Sequence, residues 1–268
     1  ASISPLELAR GMSAFANGGH LIEPYFISEI QDAFGTVLFK ANPALACDEN
    51  TQPLAIENNS SLTIENTEQG EKAQQTVQCA PRIISKQNAF LIADAMNSAI
   101  WGGGSWSNKT GWTGTAWRAQ RLGRRDLSGK TGTTNDSVDT WFSGFNRNVL
   151  TSVWVGFDNP GNTLGRSAYN NNLDSGQITG AESGAKTAQP AWNEFMRAAL
   201  DGQPEAPIEP PEGLVSIRID LATGLLSHKN DYTSRFEYFE KGTTPTSYVL
   251  SQPSDIFEEN TKTEEELF

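Results

Sequence analysis

Histidine, cysteine and positive charge are all scarce in this chain. His20 and His228 are its only histidines, and neither has a recognisable motif around it. A Ser-His-Asp triad therefore has little support, and a metal hydrolase lacks ligands. The two cysteines, Cys47 and Cys79, form no Cys-x-x-Cys, so zinc is not expected. They bracket a polar segment. Pairing would close it and add roughly 3–4 kcal/mol by the chain-entropy estimate, in keeping with an oxidising compartment; two free buried thiols are the other reading. No run approaches the roughly 18 apolar residues of a membrane span, and no signal peptide is seen. The 20 Lys and Arg stand against 32 Asp and Glu, a net charge of −12 that argues against a nucleic-acid partner. Residue 1 is Ala rather than Met, so the chain is expected to begin inside a longer polypeptide.

What is present suits a globular chain. Its 268 residues are long enough for a real core, and at 37% hydrophobic and 19% charged the balance is ordinary. Acid collects in the tail from Asp255 to Glu266, which reads as a solvated end. Arg118, Arg121, Arg124, Arg125 and Lys130 form a local basic stretch. It reads equally as a structural approach paired with carboxylates or as an attractor of an anionic substrate.

Ser4-Pro5-Leu6-Glu7 spells a capped helix start, with Leu8, Met12, Phe15 and Ala16 at helical spacing and Asn17-Gly18-Gly19 as the stop. Tyr25 to Ile30, a turn at Asp32 to Gly35, and Val37 to Phe39 predict a β-hairpin. Residues 41–80 read as a polar insertion. Ser85 caps a second, mostly apolar helix, with Phe90, Leu91, Ala93, Ala95, Met96 and Ile100, that ends at Trp101-Gly102. Residues 102–125 read as an irregular, Trp-rich approach. Strands are predicted over about 127–133, 139–146 and 149–157, with joins short enough for antiparallel neighbours. Residues 160–186 read as a Gly/Asn-rich loop. A helix from Gln189 through Trp192, Phe195, Met196 and Leu200 would cover one sheet face. A Pro-rich link (204–211) leads to a strand over 214–219 and then the tail. There are no internal repeats.

The stretch Ser128-Gly129-Lys130-Thr131-Gly132-Thr133-Thr134-Asn135-Asp136 carries the chemistry. An ammonium, a row of hydroxyls and a bare glycine on one strand can line an acyl-transfer site. Two other patterns compete. Gly123 to Thr131 approximates a phosphate loop, but five residues rather than four separate its glycines, and neither a preceding apolar strand nor a following helix is predicted. Ser183-Gly184-Ala185-Lys186 is the one Ser-x-x-Lys in the chain. It falls in the Gly-rich loop, after the lysine strand, and reads as loop rather than nucleophile.

With Asp139-Thr140-Trp141-Phe142-Ser143-Gly144-Phe145 and Thr151-Ser152-Val153-Trp154-Val155-Gly156-Phe157-Asp158, the lysine stretch resembles the transpeptidase domain of class A penicillin-binding proteins, most closely the 1A group of Gram-negative bacteria. Ser4 to Ala9, Phe15 to Gly19, Gly114-Thr115, Ala188 to Trp192 and Glu266 to Phe268 add to the likeness. The resemblance implies an α+β, α/β/α layered fold, an antiparallel sheet covered by helices. Residues 1–200 would be the C-terminal part of the transpeptidase domain, and 201–268 a Pro-rich link, short strand region and acidic tail. It implies Lys130 and Thr133 as catalytic residues and Thr131, Gly132 and Thr133 as substrate-binding. Lys130 would hold charge near a serine nucleophile, the Thr131 and Thr133 hydroxyls would take a stem peptide's terminal carboxylate, and the Thr133 N–H would serve the oxyanion hole. Trp141 would either shape the cleft or simply pack. Implied partners are peptidoglycan stem peptides, lipid-linked precursors, β-lactam antibiotics and the upstream part of the same domain; no metal or cofactor is implied. The family's Ser-x-Asn has no match here, and its nucleophile segment precedes the first helix of this chain, so the chain alone is expected to be inactive. A non-catalytic periplasmic scaffold and a serine β-lactamase or carboxypeptidase are the competing readings. A fragment of this kind is expected to pack its sheet on helices from outside the chain.

Overall fold

The computed structural model describes residues 2–47, 78–107, 109, 111–165 and 182–249. Most of the polar insertion, most of the 160–186 loop and the acidic tail lie outside the described residues. The chain divides into two compact bodies: Ala1–Trp101 with Gly114–Glu209, and Gly102–Thr113 with Pro210–Phe268.

The first body opens with α1 (Pro5–Ala16), and its start matches the sequence signal atom for atom. The Ser4 hydroxyl accepts the Glu7 N–H at 3.2 Å while the Glu7 carboxylate accepts the Ser4 N–H at 2.8 Å, satisfying two donors that a helix start leaves orphaned. The hairpin forms from β1 (Glu29–Gln31) and β2 (Val37–Lys40). Asp32 turns it by accepting the Phe34 and Thr36 N–H groups at 2.8 Å each. Its first strand is shorter than expected: Tyr25 to Ile27 lie outside it and exposed, and Ser28 joins only through its carbonyl, which accepts the Ala41 N–H at 2.8 Å. Cys47 and Cys79 are disulfide-bonded. Just beyond the bridge, the Ala80 carbonyl meets buried His20 Nδ1 at 2.8 Å. Ser85 caps α2 (Lys86–Trp101) through the Asn88 N–H.

The chain then forms a 3-10 turn (Trp117–Leu122) and the sheet: β3 (Ser128–Thr133), β4 (Asp139–Phe145) and β5 (Leu150–Gly156), antiparallel in the order β3-β4-β5. α3 (Gln189–Ala199) follows, entered through a π-turn over Gly184–Ala188. One sheet face packs on α3, where Phe142, Trp192, Met196, Leu127 and Ile100 are fully buried. The Phe142 and Trp192 rings lie 4.8 Å apart, and the indole N–H reaches the Gly144 carbonyl at 3.3 Å. On the other face Phe145 is buried with Ala93 and Met96 of α2, and Met12 and Phe15 of α1 pack against them. This is the layered α+β architecture. It also corrects two expectations. The chain's own helices cover parts of both sheet faces, and Phe195 on α3 points outward at 50% exposure.

The second body is built on β6 (Leu214–Asp220) paired antiparallel with β7 (Ser234–Glu240), from Leu214 opposite Glu240 to Asp220 opposite Ser234. β7 was not anticipated from the sequence. Gly103 and Trp112 form an isolated bridge within the same body, and the Arg235 guanidinium lies 5.9 Å from the Trp112 ring.

One buried charge sits just before β3. The Asp126 side chain is fully buried and accepts from Arg124 at 2.8 and 3.0 Å, from the Asn146 amide at 3.1 Å and from the Ala206 N–H at 3.0 Å. Burial opposes the charge, but the Arg124, Ala206 and Asn146 bonds and the Arg124 charge together hold its pKa below the ordinary aspartate value. A depressed folded-state pKa means stability that is present above the unfolded value near ~4 and lost as pH falls through the folded value. Asp126→Asn is expected to cost about 3 kcal/mol at neutral pH, with the gap to the unsubstituted protein closing below pH ~4. Denaturant melts across that pH range check both the size and the direction.

Candidate active site

Among the described residues β3 is an edge strand, hydrogen-bonded to β4 on one side only. Its entry is tied to α2 by three bonds of 2.8 Å: Ser128 Oγ to the Ala93 carbonyl, and the Asn97 amide to the carbonyls of Arg125 and Leu127. Strand alternation and the register then sort the side chains. Lys130 and Gly132 share a face with their partners Ser143 and Trp141, while Thr131 and Thr133 share the opposite face with Phe142 and Thr140.

Lys130 is exposed, and its Nζ donates to the Thr131 carbonyl at 3.0 Å and to Thr131 Oγ1 at 3.3 Å. Gly132 leaves the strand bare, and a Cβ there would lie 3.0 Å from Trp141 Cβ. Thr133 Oγ1 accepts the Gly184 N–H at 3.1 Å. A hydroxyl that accepts from an N–H keeps its own hydrogen for another acceptor. The Thr133 hydroxyl is thereby set up as a donor. Gly184 is confined: a Cβ would stand 2.2 Å from the Trp141 carbonyl oxygen and 2.6 Å from that of Gly132. Only glycine brings an N–H this close to β3.

Trp141 packs rather than lining an open groove. Its half-buried ring meets Trp154 edge-on at 6.3 Å, and both indole N–H groups donate to the two oxygens of Asp139 at 3.2 Å. The turn after the strand is strained, with Asp136 and Ser137 at φ 59 and 51. The buried Ser137 hydroxyl there donates to the Glu182 carbonyl at 3.0 Å, next to Ser183 and Gly184.

The basic stretch is largely structural. Arg124 is taken up by Asp126, and Arg125 and Arg118 lie 3.7 and 4.7 Å over the Trp101 and Trp117 rings. The phosphate-loop pattern fails, because Gly129, Lys130 and Thr131 lie within a β-strand. In Ser183 to Lys186 the lysine Nζ pairs with Glu182 at 2.9 Å. Burial works against the Glu182 charge, but Thr187 and Lys186 hold its pKa below normal, and with its Nζ drawn to that carboxylate Lys186 is poorly placed to serve as a base for Ser183. The segment is a helical turn rather than the expected loop.

The structure thus brings Lys130, Thr131, Gly132 and Thr133 to one exposed edge, where an ammonium, hydroxyl donors and bare backbone can receive a carboxylate and steady a developing oxyanion. Sequence reasoning missed Asn97, one of several polar residues on α2, and Gly184, whose need for close approach is not legible locally.

Comparisons with known proteins cover both bodies. The family described as the penicillin binding protein transpeptidase domain matches residues 1–196, and that described as the penicillin-binding protein 1A C-terminal domain matches residues 210–250. Penicillin-binding protein 1A of Vibrio cholerae is 44% identical over 269 residues, covering 100% of this chain and 31% of the relative. That of Escherichia coli is 41% identical over 292 residues, covering 99% and 33%. The crystal structure of penicillin-binding protein 1A from Haemophilus influenzae superposes with a TM-score of 0.72 at 41% identity, over 93% of this chain and 34% of that one. The chain therefore spans about a third of the length of these relatives.

Gly184→Ala is expected to push the π-turn off β3, lowering the melting temperature by several degrees through overpacking of roughly 1–3 kcal/mol. Gly202→Ala, in open space, serves as the comparison, although its own φ of +66 carries some strain. Thermal melts of both variants check this.

Proposed function

The chain belongs to the penicillin-binding protein transpeptidase family, and on that premise we propose that it forms part of a peptidoglycan D,D-transpeptidase and contributes the lysine-strand half of its active site. Residues 1–200 form the C-terminal part of the transpeptidase domain, and 201–268 a link, strand region and acidic tail. The nucleophilic serine, its lysine and the Ser-x-Asn come from residues other than these 268, in keeping with the share of the relatives that the chain spans.

In this reading the serine hydroxyl adds to the carbonyl of the penultimate D-Ala. The tetrahedral oxyanion collapses, expelling terminal D-Ala as its amine takes up the serine's proton, and leaves an acyl ester. The amine of a neighbouring stem peptide then attacks that ester. It forms the cross-linking amide and returns the proton to serine. Lys130 supplies positive charge beside the serine and the acyl-enzyme. The Thr133 hydroxyl donates to the terminal carboxylate with Thr131 lining the same subsite, Gly132 admits the peptide backbone along the strand, and the Thr133 N–H stabilises the oxyanion. A β-lactam enters by the same route and stays on the serine, because its leaving group remains tethered.

The observation that carries this reading is the exposed Thr133 hydroxyl, on the strand that carries Lys130, which accepts from the Gly184 N–H and keeps its own hydrogen for another acceptor. The whole protein works in the periplasm, held at the inner membrane by a segment other than these residues. It acts on lipid-linked precursors and carries a glycosyltransferase domain as well.

Lys130→Ala in the full-length protein is expected to slow acylation by a fluorescent penicillin on the order of 10²-fold, with the melting temperature unchanged. Gel fluorescence against time measures it. An unaltered rate would remove Lys130 from the site. No label on the unsubstituted protein would favour a non-catalytic scaffold.

A further inference from the structure

A third hydroxyl reaches the same edge from a different part of the chain. Thr131 Oγ1 donates to Thr115 Oγ1 at 3.2 Å while accepting from Lys130 Nζ at 3.3 Å. A lysine ammonium can only donate, so Lys130 stands at the head of the chain. Lys130 gives to Thr131 and Thr131 gives to Thr115, whose own hydrogen is left for an outside acceptor. Each hydroxyl in such a relay is polarised by the one before it, and the cation stands at its head.

The backbone around Thr115 is held as firmly as β3. Gly114 is buried where a Cβ would lie 1.9 Å from the Ala99 carbonyl oxygen. Ala116 has 0% exposure; its N–H reaches that same oxygen at 2.9 Å, and its carbonyl accepts the Gln189 amide at 2.7 Å. Between these two buried neighbours Thr115 alone is exposed. A fixed backbone that offers one solvent-facing hydroxyl, at the end of a donor relay beside an ammonium, fits an anionic acceptor.

We propose that Thr115 is a substrate-binding residue of this site, donating alongside Thr133, with Thr131 behind it in the relay, to the carboxylate of the acyl donor and so favouring donors that end in a free carboxylate. This rests on the transpeptidase reading above, and the experiment keeps the two separate.

The full-length protein and its Thr115→Val and Thr115→Ser variants are compared for the second-order rate of acylation by a penicillin and by the same penicillin as its methyl ester. Thr115→Val is expected to slow the free acid about tenfold, as for loss of one hydrogen bond to a charged group, and to leave the ester's rate unchanged. Thr115→Ser is expected to restore the free-acid rate. Equal losses for acid and ester would mark a structural role and overturn the proposal, as would no loss for either. Absence of acylation in the unsubstituted protein would instead overturn the transpeptidase reading and the proposal with it. Melting temperatures of the variants show that each one folds.

Discussion

Among the described residues β3 is held at its entry, along β4 and behind its far end, and is open along its other edge. Its entry hangs from α2 by the Ser128 and Asn97 bonds, and its pairing with β4 sets which side chains share a face. Behind its far end Gly184 is wedged between two carbonyls, and no other residue fits that gap. Loosening any of these restraints would move Lys130 and the threonines together. A displacement of an ångström matters greatly in a site that acts by positioned charge and hydrogen bonds.

The same restraints decide where hydrogens go. Hydroxyls rotate freely, so a row of threonines is ambiguous on its own. The Gly184 N–H fills one acceptor position at Thr133 and the lysine ammonium one at Thr131, whose hydrogen goes to Thr115. A site meant for a carboxylate needs donors, and these contacts convert neutral hydroxyls into donors before any ligand arrives. The core tells a matching story. At the Phe145 end the sheet is sealed by α1 and α2, whereas at the Gly132 end Trp141 and Trp154 are half-buried and steadied chiefly by Asp139.

Local signals in the sequence were strong wherever the physics was local. The Ser4–Glu7 capping box, the Asp32 turn, the Ser85 cap and the alternation of β3 to β5 each depend on residues within a few positions, and each is where the pattern places it. The strand that carries Lys130 to Thr133 was legible for the same reason. What was not legible depends on distant partners. Tyr25 to Ile27 look like strand but lie outside the ladder, and β7 exists because β6 lies beside it. Asn97 ties down a strand that begins 31 positions away, and Gly184 donates across 51 positions.

The central claim is that this chain carries half of an acyl-transfer site whose nucleophile lies elsewhere in the protein. The most direct measurement is to acylate the full-length protein with a penicillin, digest it, and locate the adduct by mass spectrometry. The account predicts a single penicilloyl serine in a peptide outside these 268 residues, followed by a lysine three positions on. An adduct on Ser183, or on any other residue of this chain, would contradict it.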